Sequence, residues 1–156
     1  MKQAVRYAKL LTLTGKDKPD HSYQAAIYLL SSDAILCEKA LPYVSTDGID
    51  FPAMREKAPL DDKEQQIVSI THSLFTWKPV CHLSPYDLSQ LGYPYIDYVS
   101  HALYITSGLY KVELRDNGIG EPTFVIDTTK YGWVKDFADV YYDSFLSDNE
   151  REGEEL

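Results

Sequence analysis

The chain has 156 residues, 44% of them apolar, with thirteen tyrosines and a formal net charge of −9. A single domain of this length buries roughly 70% of the surface that its unfolded form exposes, so one core suffices without disulfide or metal staples. Residues 136–156 hold eight acids and one base, Arg151, against sixteen acids and fourteen bases over 1–135, so the body is close to neutral and lacks the basic patch that nucleic acid requires.

Residues 2–13 place apolar and basic positions at helical spacing, which predicts a first helix ending near Gly15. Pro19-Asp20 supplies a cap, and Tyr23, Ala26, Ile27 and Leu30 form one face of a second helix. Asp33 opens a third segment, Ala34 to Leu41, which Pro42 ends. Asp50 with Phe51-Pro52 reads as the start of a short helix through Met54 to Lys57, ended by Pro59.

Asp61-x-x-Glu64 is a capping box. The helix after it is expected to turn Ile67, Ile70, Thr71, Leu74, Phe75 and Trp77 inward, and Ser69, Ser73 and Thr76 outward. Ser84-Pro85 with Asp87 starts another helix, which Gly92 stops. From Pro94 to Ser107, Tyr95, Ile96, Val99, Ala102, Leu103 and Thr106 make a broad apolar face opposite Asp97, Ser100, His101 and Tyr104.

The period then changes. Tyr110, Val112 and Leu114 alternate with Lys111, Glu113 and Arg115, Asp116-Asn117-Gly118 turns the chain, and Thr123 to Asp127 returns it. A lone hairpin is marginal in water, so this one is expected to lie on the helices. Trp133, Val134, Phe137, Val140, Tyr141 and Phe145 define one face of a last helix, with Asp136, Asp139 and Asp143 on the other. Most amphipathic helices serve their own core, so that face is expected to dock on the body, with a partner's groove as the alternative. Residues 147–156 are short, polar and charged, and are expected to be a disordered acidic tail behind a single globular domain at 1–146.

Few side chains carry obvious chemistry. Cys37 and Cys81 form no C-x-x-C pair and read as small hydrophobes. Cys81 adjoins His82, but a helix end and Pro79 separate His72 from His82, which does not match metal-ligand spacing. Asp97 and His101 are four apart, which suits a carboxylate orienting an imidazole and equally an exposed ion pair. Asp136, Asp139 and Asp143 lack the loop spacing of a calcium site, and Gly118-Ile119-Gly120 lacks the third glycine and the helix start of a phosphate loop.

The starting stretch does not read as a secretory signal, and the longest apolar run, Ala25 to Leu30, is too short to span a bilayer, so a cytoplasmic protein without membrane contact is expected. Six residue patterns follow one another between 21 and 107. They are Tyr23-x-x-Ala26-x-Tyr28-Leu29-Leu30, Asp33-x-x-Leu36, Gly48-Ile49-Asp50-Phe51, the helix Ile67 to Phe75, Ser84-Pro85-Tyr86-Asp87-Leu88, and His101-Ala102-Leu103-Tyr104-Ile105. In these the chain resembles a family of small bacterial α-helical proteins grouped as a domain of unknown function. The resemblance implies a compact helical fold and no catalytic residues.

The expected fold is mainly α, a compact multi-helix bundle with a small hairpin on its C-terminal side, α+β being the alternative. The expected function is a protein-interaction or adaptor domain without catalytic activity or cofactor. Its expected contact surface is Asp97, His101, Tyr104, Trp133, Phe137, Tyr141 and Phe145, meeting a protein partner. A second reading is a small enzyme or metal-binding protein using cysteine, histidine and carboxylates. A third is an acidic mimic of nucleic acid, which the near-neutral body disfavours.

Overall fold

The computed structural model describes residues 1–154 apart from Asn117, with side chains described as far as Ser147. The structure is 62% helical, with two small antiparallel sheets among the described residues, so the mainly α class holds. Helix α1 (Gln3–Thr14) ends on Gly15, whose φ of 67° is the left-handed conformation that closes a helix at low cost only for glycine. Helices α2 (His21–Leu30), α3 (Ala34–Ala40) and α4 (Phe51–Lys57) each begin where an aspartate caps them. Asp20, Asp33 and Asp50 accept from the backbone N–H groups of Tyr23, Leu36 and Ala53 at 2.9, 2.9 and 3.1 Å.

Between α3 and α4 the chain makes a 3-10 turn at Leu41–Tyr43 and a two-residue ladder. Val44–Ser45 (β1) pairs there with Gly48–Ile49 (β2). Two-residue strands leave no alternation to read, and the sequence did not predict them. Helix α5 (Asp62–Thr76) opens on the expected capping box at Asp61 and Glu64. Helix α6 (Pro85–Ser89) has the same device at Ser84 and Asp87, and stops at Gln90, short of Gly92.

Helix α2 is the centre of the molecule. Ala25 to Leu30 are all essentially inaccessible, as befits a helix that is apolar all round and packed between α5 and α7 (Tyr95–Thr106). Tyr7 and Leu10 of α1, Phe51 and Met54 of α4, and Ile67 and Val68 of α5 complete the core. The hairpin of β3 (Lys111–Asp116) and β4 (Pro122–Asp127) lies on this body as expected. Val112 N–H donates to Gln24 Oε1 at 3.0 Å, and the Phe124 ring meets Tyr7 edge-on at 5.9 Å. The expected turn is seen through Gly118 N–H, which donates to Asp116 Oδ1 at 2.9 Å, while Asn117 lies outside the described residues.

Three helical faces differ from expectation. In α5, Ser69 is buried, and Trp77 has left the helix as a left-handed cap with φ 58° and an 81% exposed ring. In α7 the buried positions are Val99, Ala102 and Ile105, while Ile96 and Leu103 face outward. The helix is rolled so that Tyr98 and His101 reach Tyr28 of α2, contacts that local polarity does not reveal. The third difference is larger. Helix α8 (Thr129–Glu154) does not dock its aromatic face on the body. The disordered tail expected at 147–156 falls on its far end, where the backbone is helical to Glu154 and the last two residues lie outside those described.

Candidate functional site: the aromatic face of α8

The hairpin launches α8. Thr129 at its start donates from its backbone N–H and its hydroxyl to Asp127 Oδ1, at 2.9 and 2.6 Å. These two bonds hold the Asp127 carboxyl below the usual carboxylate range. Two residues on, Tyr131 inserts its ring edge-on against Tyr104 at 5.2 Å and Tyr110 at 5.8 Å, and those two rings stack on each other at 4.7 Å. The Tyr131 hydroxyl beside it pushes Tyr104 above its ordinary value. This knot of three tyrosines, drawn from α7, β3's leading edge and α8, fixes the direction in which the last helix leaves the body.

Beyond Gly132 that helix runs into solvent. Trp133, Phe137, Tyr141 and Phe145 are 71%, 75%, 59% and 53% exposed, and Val134, Val140, Tyr142 and Leu146 are open as well. At 3.6 residues per turn these eight side chains sweep about 240° of the helix surface. Asp136, Asp139 and Asp143 share the remaining stripe, about 60° wide. Eight large side chains at these exposures present roughly 900 Å² of apolar area, above the few hundred Å² of the largest patch on a typical monomer.

The other expected contacts are placed differently from one another. Asp97 is exposed on α7. His101 is half-buried, and its Nδ1 lies 2.8 Å from the Tyr28 hydroxyl. Burial raises the Tyr28 pKa and keeps its hydroxyl protonated, so the two groups share one hydrogen bond. Tyr104 is spent on the tyrosine knot. The outward side of α7 offers Leu103 instead, half-exposed beside it.

The cysteines and histidines are spread over the body. Cys37 is sealed in the core, where burial pushes its thiol up. His72 stacks on Phe51 at 5.0 Å and accepts from Arg55 Nη1 at 3.2 Å, while His82 is exposed. Among the described residues no group of three or more His, Cys, Asp or Glu side chains is arranged to hold a metal ion.

Sequence reasoning missed two concave features. A pocket of about 190 Å³ lies where α3, α5 and α7 begin, lined by Asp33, Asp61, Lys63, Glu64 and Tyr95. Asp33 and Asp61 serve there as helix caps. Glu64 Oε1 takes Lys39 Nζ at 2.7 Å, and its buried Oε2 has no hydrogen-bond partner. That orphaned oxygen is shut off from solvent, so nothing entering the pocket reaches it without rearrangement. A larger groove of about 510 Å³ between α1 and β3 is lined in part by Tyr7, whose buried hydroxyl also lacks a partner. No signal in the sequence marks either feature, because each is assembled from separate elements. No family model matches this chain, and no curated protein or solved structure matches it either. No helix among the described residues is long and apolar enough to cross a membrane.

Proposed function

We propose that this chain is a non-catalytic protein-interaction module whose contact element is α8. One observation carries the reading: a long helix, held to the body through Tyr131 at its base, keeps Trp133, Phe137, Tyr141 and Phe145 in solvent. Water-exposed aromatic rings in that number cost solubility and contribute nothing to the fold's own core, and a partner that covers them recovers the hydrophobic free energy. The acidic stripe keeps the free helix soluble and marks the side that stays wet. The expectation of a cytoplasmic, adaptor-like protein belongs with this reading.

Removal of residues 133–156 tests it. The shortened protein is expected to melt cooperatively, within about 5 °C of the full chain, because the core around α2 is untouched. Proteins captured from the native host by the full chain are expected to disappear with the truncation and with Phe137→Asp. A truncated chain that loses cooperative melting would show that the helix belongs to the core. Equal capture by all three proteins would place the contact surface elsewhere.

A further inference from the structure

We propose that α8 is the interface between two copies of this chain, paired antiparallel across a two-fold axis. This rests on the reading of α8 as a contact element and names its partner. Trp133, Phe137, Tyr141 and Phe145 recur every four residues and so form one continuous ridge of four rings along the helix. The ridge is self-complementary. A two-fold axis at the level of Asp139 sets Trp133 opposite Phe145 and Phe137 opposite Tyr141, each pair occurring twice, as an isologous contact requires.

Charge selects the direction. Lys130 and Lys135 lie in the first turns of α8, and Asp136, Asp139 and Asp143 follow, with further acids beyond them. Antiparallel pairing brings the basic start of one helix beside the acidic end of the other and opposes the two macrodipoles, whereas parallel pairing sets like ends together. The acidic stripe lies opposite the aromatic ridge, so its carboxylates stay out of the apolar contact and bear on the partner copy's lysines only through their longer-range field, which salt screens. Area is of the right order: the four ridge rings with Val134 and Val140 beside them present roughly 700 Å² of apolar surface per copy, close to the ~800 Å² per partner of a standard stable interface.

Sedimentation equilibrium of the full chain at about 50 µM tests the proposal against its 17.8 kDa monomer mass. The full chain is expected at twice that mass. Phe137→Asp and Tyr141→Asp are each expected to weaken dimerisation at least tenfold while circular dichroism of the body is unchanged, since neither ring touches the core. Lys130→Glu with Lys135→Glu is expected to weaken the dimer at low salt, with partial recovery at high salt. A monomeric full chain overturns self-pairing and leaves α8 to a different protein, so capture from the host then decides the broader reading by itself. A dimer that survives deletion of 133–156 overturns α8 as the self-pairing interface, and the broader reading then falls only if capture from the host also survives the deletion. Lysine variants that dimerise as well as the unaltered chain overturn the antiparallel arrangement.

Discussion

At His72 two neighbours act on one ring. Burial and the Arg55 guanidinium both push its pKa below the ordinary 6.5. The Arg55 N–H donated to Nδ1 is available only to the neutral imidazole. As pH falls through 6.5 the unfolded chain takes up a proton that the folded ring still refuses, so the unfolded state gains. Stability therefore drops below that pH and levels off only when the folded ring itself protonates. His72→Phe keeps a flat ring on Phe51 and removes the titration. Melting temperatures compared at pH 7.5 and about pH 5.5 are expected to fall more for the unaltered chain than for this variant. Identical losses in the two proteins would remove His72 from the acid response. His101 shows the limit of reading such residues locally. Its spacing from Asp97 was plain in the sequence, but the partner it uses, Tyr28, lies 73 positions away.

The element boundaries were the most legible part of the chain, because caps are local chemistry. Asp20, Asp33, Asp50, Asp61 and Ser84 each mark a helix start that the structure reproduces, since the side chain and the N–H it satisfies are three residues apart. Facing was less legible. The roll of α7 depends on what Tyr98 and His101 find across the interface, and outward Ile96 and Leu103 cannot be told from inward ones by period alone. The end of α7 offers a test of how closely elements approach. Gly108 sits at φ +81°, and a methyl group there would lie 3.2 Å from His21 Nε2 at the start of α2. Gly92 has a similar φ of +76° with open space around it. Gly92→Ala is expected to cost about 1–2 kcal/mol for the left-handed backbone alone. Gly108→Ala is expected to cost more, because the His21 ring must also move. Chemical denaturation of the two variants measures the difference, and equal costs would mean that the ring yields freely.

Across the whole molecule, stability divides into two tiers with Gly132 between them. The body shares one core around Ala25 to Leu30, so its amides are exposed to exchange only when the whole core opens. Among the described residues helix α8 buries no large apolar side chain beyond Tyr131, so tertiary packing, the main source of helical stability in a folded protein, adds little there. Amphipathicity showed in the sequence that its aromatic face calls for cover. It carried no information on which molecule provides it, and the expectation of docking on the body failed for that reason. Hydrogen exchange at two protein concentrations reads both tiers at once. In dilute solution the α8 amides after Gly132 are expected to exchange at least a thousandfold faster than those of α2, given openings near zero free energy against global unfolding. At high concentration α8 is expected to gain protection while α2 stays unchanged, because pairing is driven by mass action and the core is not. Protection of α8 equal to that of α2 in dilute solution would join the helix to the body's cooperative unit. Protection that stays low at every concentration would leave the aromatic ridge without a second copy to meet it.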